Sequence, residues 1–209
     1  MKNAHLTIYW GVELGRYGFG EDHPLGQDRL DAFRVAAIRE GIDRSAEIAA
    51  PMACNVTDLN LFHEPEYVQR VKELSRIGKG YLDCGNTPAY PGIYDAGRFV
   101  VGTGLAAINR ILRYDWHHAF VPIGGLHHAR RDSAAGFSVF NDCGIMIEAL
   151  RRRYGINRLA YVDIDAHHGD GVYYAFEEDP DLAIADIHED GRYLYPGSGA
   201  ANEEGKGIA

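Results

Sequence analysis

Cysteine is scarce in this chain and is not arranged for metal or disulfide chemistry. The 209 residues hold three, Cys54, Cys84 and Cys143, with no C-x-x-C pair. An odd, scattered set argues against a disulfide framework and against a thiolate zinc site, and it suits a reducing cytosol. Long apolar runs are missing as well. No stretch approaches the 18 apolar residues of a membrane span. The start, Met1-Lys2-Asn3-Ala4-His5-Leu6-Thr7, lacks the charged, apolar and small-residue regions of a secretory signal. A cytoplasmic protein is therefore expected. Basic stripes are absent too, and Lys+Arg 21 against Asp+Glu 30 gives a net charge of −9. That balance excludes nucleic-acid binding driven by phosphate neutralisation. Repeats, linkers and low-complexity tracts are also missing, so a single domain over 1–209 is expected.

What is present reads as alternating strands and helices. Strand patterns cover His5–Trp10, Ala46–Met52, His117–Ile123, Arg158–Ile164 and Leu182–Ile187. Helical stripes cover Gly26–Glu40, Glu64–Ile77, Ile93–Tyr114, Asp142–Tyr154 and the segment from Gly171 to Phe176, with a helical turn at Thr57-Asp58-Leu59. The order predicts an α/β fold with a mostly parallel sheet between helical layers, and a site outside the carboxyl ends of the strands. The continuous apolar run before Asp163 predicts a strand buried on both faces.

The densest polar cluster follows that run: Asp163-Ile164-Asp165-Ala166-His167-His168-Gly169-Asp170-Gly171. Strand alternation would start Asp163, Asp165 and His167 on one side. Two carboxylates and an imidazole in a dry sheet end need a compensating cation. Oxygen and imidazole donors without thiolate suit Zn²⁺, Fe²⁺ or Mn²⁺ at an open site. The bland alternative is a solvated polar loop. A second cluster, Gly124-Gly125-Leu126-His127-His128, also follows a strand. Tandem histidines are commonly structural, but two histidine-rich loops at one sheet edge point to a shared site. His117-His118 is expected at the opposite edge. His188 is placed near the site, and His23 and His63 are open. The segment Gly102-Thr103-Gly104-Leu105-Ala106-Ala107 fits G-x-G-x-x-A, but it lies inside a helical pattern and lacks the acidic partner of a dinucleotide site, so helix packing is the better reading.

Together with Gly136-Phe137-Ser138-Val139-Phe140-Asn141-Asp142, these two clusters make the chain resemble the zinc-dependent histone deacetylase superfamily. That superfamily includes bacterial acetoin-utilisation-type and acetylpolyamine deacetylases. Further matches are His23-Pro24 with Arg29, the run Phe62–Tyr67, and Tyr195-Pro196-Gly197-Ser198-Gly199. The resemblance implies a three-layer, arginase-like α/β/α fold and removal of acetyl groups from acetyl-lysine or acetylated polyamines and small amines. It implies Asp165 and His167 as ligands of Zn²⁺ (or Fe²⁺), and His127 and His128 beside the metal-bound water and the substrate carbonyl. Asp163 would orient His127, and Asp170 would orient His128. His128 would be the general base, with His127 stabilising charge or protonating the leaving amine. Gly136, Phe137, Tyr195 and Asn86 would form the substrate-binding set, with Phe137 and Tyr195 as tunnel walls. Carbonyls of Asp163, Asp165 and His167 would serve a structural K⁺. The partner would be an acetylated small molecule or peptide, and an oligomer is allowed. Asn86 stands where relatives carry Asp, and Asp186 where many carry Ser. The third metal ligand and a transition-state tyrosine are expected beyond residue 209. The chain is therefore expected to be an N-terminal part, with a metal-binding or partner-binding remnant as the alternative function. If a third ligand lies within the chain, Asp186 and His188 are the first candidates.

Overall fold

A computed structural model describes residues 6–20, 23–114, 118–203 and 205. His5 and His117 lie outside the described residues. The elements run β1 (Leu6–Tyr9), α1 (Val12–Gly15), α2 (Arg29–Arg39), α3 (Ile42–Ser45), β2 (Glu47–Ala49), α4 (Val56–Leu59), α5 (Pro65–Ile77), α6 (Ile93–Tyr114), β3 (His118–Phe120), α7 (Asp142–Tyr154), β4 (Leu159–Asp163), α8 (Asp170–Phe176) and β5 (Leu182–Asp186).

Local chemistry sets the helix ends. Asn55 and Asp58 form a reciprocal capping box on α4, which satisfies two otherwise orphaned donors. Pro65 begins α5, where its missing N–H costs nothing, and Gly78 ends it with φ 69°. Asn141 caps α7 by accepting from Gly144 N at 2.8 Å.

All strand pairs are parallel, but they form two sheets among the described residues rather than one. The first has the order β2-β1-β3 and the second is β4-β5. The strand expected over 158–164 also differs in its burial. Leu159, Tyr161 and Asp163 face the interior, whereas Val162 is 67% exposed and Ile164 82%. The pleat alternates sides, and among the described residues one face of β4 meets the core.

The core gathers around α6, which touches α1, α4, α5, α7 and β3. Val100 and Val101 are fully buried there. Gly102 has a packing role: a Cβ would stand 2.3 Å from both Cys54 N and Met52 O. The glycine lets the 52–54 backbone lie against the helix, which replaces any dinucleotide reading of Gly102–Ala107. The two histidine-rich loops leave the sheets beside this packed interior, one before α7 and one between β4 and α8.

Candidate active site

The loop carrying His127 and His128 is built by the first two residues around the α7 start. Asp142, buried, accepts from Gly125 N at 3.0 Å and Leu126 N at 2.7 Å. The Asn141 amide donates to the carbonyls of Ala129 (2.8 Å) and His127 (3.3 Å). His63 supports this strap from behind. Its Nε2 accepts from Asn141 N at 2.9 Å and its Nδ1 faces the Arg131 carbonyl. The ring must therefore be neutral, and burial lowers its pKa to about 4. His63 is a support buried away from the pocket.

Each site histidine has its own carboxylate. His127 Nδ1 lies 2.7 Å from Asp163, and His128 Nδ1 lies 2.7 Å from Asp170. The two Nε2 atoms face each other at 3.1 Å. Both rings and both carboxylates are buried. Burial pulls the His127 pKa down, but the hydrogen bond and charge of Asp163 outweigh it and the pKa is raised. His128 goes the other way: burial and the nearby His127 and His167 outweigh Asp170, and its pKa is lowered. Two neighbouring imidazoles are thus biased toward opposite protonation states. A proton on His127 Nε2 can be donated to an unprotonated His128 Nε2.

Asp163 is more heavily engaged than its place in the motif suggests. It accepts from His127, from the Tyr161 hydroxyl and from Asp165 N (3.0 Å). Burial opposes ionisation, but these bonds hold the carboxyl well below the usual range. Tyr161 had a readable signal, since it sits two residues earlier on the same strand face.

Asp165 and His167 are arranged differently. β4 ends at Asp163, so the strand pleat does not bring the two together as alternation suggested. Successive side-chain-to-backbone turns do: Asp163 caps Asp165 N, and Asp165 caps His167 N at 2.8 Å. Asp165 Oδ1 and His167 Nδ1 lie 2.9 Å apart, with side chains 52% and 41% exposed. Burial would raise the Asp165 pKa, but its bonds to His167 outweigh this and lower it.

These residues share a cavity of about 400 Å³ with Asn86, Gly136, Phe137 and Tyr195, closed on another side by Pro24, Leu25 and Arg29. The Tyr195 ring meets His128 edge-on at 4.9 Å, and Phe137 is buttressed by the His23 ring at 4.3 Å. Gly136 lies between: a Cβ there would stand 2.5 Å from the His128 ring and 2.7 Å from the Tyr195 ring. All ten residues singled out from the sequence therefore converge on one cavity or on the carboxylates directly behind it.

Asp186 and His188 do not join them. Asp186 accepts from Gly169 N and binds His188 Nδ1 at 2.7 Å, while His188 Nε2 faces the Gly199 carbonyl. Burial opposes protonation of His188, but acceptors on both nitrogens prevail and raise its pKa. These two residues line a separate hollow with His168. The Asp163 carbonyl accepts from Ile187 N at 3.0 Å. His118 is exposed at the start of β3. Among the described residues, no three His, Cys, Asp or Glu side chains are grouped to hold a metal, and no helix is long and apolar enough to cross a membrane.

A parallel α/β framework presenting paired His–Asp dyads at its strand ends defines the arginase- and deacetylase-like fold class. The crystal structure of the HDA15 HD domain superposes with a TM-score of 0.85 at 23% identity, covering 97% of this chain and 58% of that one. The chain belongs to the histone deacetylase family: the Histone deacetylase domain model matches residues 23–209. Acetoin utilization protein AcuC of Bacillus subtilis (strain 168) is 35% identical over 199 residues, which are 91% of this chain and 51% of that protein. Histone deacetylase 6 of Arabidopsis thaliana is 29% identical over 214 residues, 98% of this chain and 45% of that protein. The chain spans about half the length of the curated relatives it matches.

Proposed function

We propose that this chain carries the acid–base and substrate-pocket half of a zinc-dependent deacetylase acting on acetyl-lysine or on acetylated polyamines and small amines. One observation carries the reading: two buried His–Asp dyads with their Nε2 atoms 3.1 Å apart at the base of an aromatic-walled cavity. An amide needs a proton removed from the attacking water and a proton given to the leaving nitrogen. Adjacent imidazoles with opposed proton affinities suit those two tasks.

His128 takes the proton from water at Nε2, while its Nδ1–H bond to Asp170 offsets the charge that develops on the ring. His127, whose protonated form the hydrogen bond and charge of Asp163 favour, gives its Nε2 proton to the departing amine. Phe137 and Tyr195 flank an alkyl side chain and shield the reacting carbonyl from bulk water. The free amine and acetate are the products.

Asp165 and His167 fit as two ligands of a divalent metal. They bring one oxygen and one nitrogen donor within 2.9 Å of each other, and both residues line the cavity. Zn²⁺ bound there would polarise the acetyl carbonyl and lower the pKa of its water toward 7. Fe²⁺ accepts the same donors. A structural K⁺ near the Asp163–His167 carbonyls and a cytoplasmic location are further parts of this proposal.

The test is hydrolysis of Nε-acetyl-lysine peptides and of acetylpolyamines by the complete gene product, before and after chelation. The reading expects turnover of one class that chelation abolishes and zinc restores. Failure to hydrolyse either class with zinc bound contradicts it.

A further inference from the structure

Phe137 is the one non-glycine residue with positive φ among the described residues, at φ 65°. It follows Gly136 at φ 50°. Ala135 and Ser138 exchange hydrogen bonds across the pair, 2.7 and 3.2 Å, so the two form the tip of a tight two-residue turn of the primed kind. A bulky side chain in the left-handed region costs about 1–2 kcal/mol, so other contacts must hold it there.

Two distant side chains do. The buried Tyr17 hydroxyl donates to the Phe137 carbonyl at 2.7 Å and accepts from Val139 N at 3.0 Å. The fully buried Thr87 hydroxyl accepts from Phe137 N at 3.2 Å. Thr87 in turn donates to Asp83 Oδ2 at 2.7 Å. A carboxylate only accepts, so the single hydroxyl proton of Thr87 points at Asp83, and a lone pair remains for Phe137 N–H. The other Asp83 oxygen accepts from Gly85 N, Asn86 N and Thr87 N at 2.7–2.9 Å. The same carboxylate therefore fixes the loop that places Asn86 at the cavity and the hydroxyl that fixes the wall.

We propose that Asp83 and Thr87 are positioning residues that tie the Asn86 loop to the Phe137 turn and so set the width of the cavity. They touch no reacting atom; they act through Phe137. As far as it concerns substrate choice, this rests on the deacetylase reading. The clamp itself does not.

The experiment measures amide hydrogen exchange in the full chain, with and without added zinc, for wild type, Thr87→Val, Thr87→Ser and Asp83→Asn. Thr87→Val keeps the shape and removes the hydroxyl. The Phe137 amide should exchange at least about 10-fold faster through local opening, with Asn86 N–H still protected. Thr87→Ser should restore Phe137, whereas Asp83→Asn should loosen Phe137 by misaligning the hydroxyl. Phe137 exchange unchanged in Thr87→Val, or not restored by Ser, overturns the proposal. Should Thr87→Val melt, Asp83→Asn decides, and an unchanged Phe137 rate there overturns it. With an active enzyme, Thr87→Val should raise KM for a straight-chain acetyl-lysine amide more than it lowers kcat, because the wall binds the chain and does not move protons. Equal loss in kcat at unchanged KM contradicts this role. If even wild type hydrolyses no amide, the deacetylase reading fails while the exchange measurements still decide the clamp.

Discussion

His127 and His128 are held from behind by the fold, whereas Asp165 and His167 are held mainly by neighbours in their own loop. The histidine pair is buried, each ring on its own carboxylate, on a loop whose amides and carbonyls are taken up by Asn141 and Asp142. The Asp165–His167 arm is half-exposed, and its side chains bond to each other and to the His167 amide. The first half of the site is preorganised by hydrogen bonds that the fold makes anyway. The second rests on short-range bonds between half-exposed side chains of one loop. Stability and chemistry should therefore respond to different substitutions.

The largest effect falls on turnover. In the active complete gene product, His128→Ala should cut kcat by about 10²–10⁴-fold, the usual worth of a positioned base, while bound zinc stays at its wild-type level. An unchanged rate would show the proton leaving by another route. Next comes the strap. Asp142→Ala leaves the buried Leu126 N–H and the more exposed Gly125 N–H without their acceptor and should cost about 2–3 kcal/mol in denaturant unfolding, most of it from the Leu126 bond. Asp165→Ala, half-exposed and bonded only locally, should stay within about 0.5 kcal/mol. Equal losses would erase the contrast between the two halves.

His63 gives a pH signature of the buried half. Its pKa falls from 6.5 unfolded to about 4 folded, so between those values the unfolded chain binds more protons. Stability is thus intact above pH 6.5 and declines as pH falls toward 4, by about 3 kcal/mol in all. Urea midpoints across that window should show the slope, and His63→Gln, which keeps an acceptor for Asn141 N, should flatten it. A slope that persists in His63→Gln would assign it to other groups.

The helices were the most legible part of the molecule. α6 and α7 occupy the spans that their apolar stripes predict, and Asn141 and Gly155 cap α7 at the ends those residues mark. β4 shows the limit. Leu159 to Val162 is apolar throughout, yet Val162 is 67% exposed; hydrophobicity records what can be buried, and not whether a second layer lies against it. The site histidines and carboxylates were legible because they cluster in two short runs beside strand ends, whereas Asn86, Gly136, Phe137 and Tyr195 came only with the family resemblance. Their supports were not. Tyr17 reaches Phe137 across 120 residues and Thr87 reaches it across 50, and no local pattern encodes such bonds. Asn141-Asp142 was the exception within reach, since an Asn directly before an apolar helix is an N-cap signature, but the strap it makes on residues 125–129 depends on tertiary placement.

Zinc titration with an unfolding readout tests the two-part account most directly. Wild type, Asp165→Ala, His167→Ala and His128→Ala would each be titrated by calorimetry and melted without metal. The account predicts that zinc binding is lost or weakened by at least about 10-fold in the first two variants, as for removal of a metal ligand, retained in His128→Ala, and that the metal-free melts of Asp165→Ala and His167→Ala match wild type. Full zinc occupancy in both Asp165→Ala and His167→Ala would contradict it.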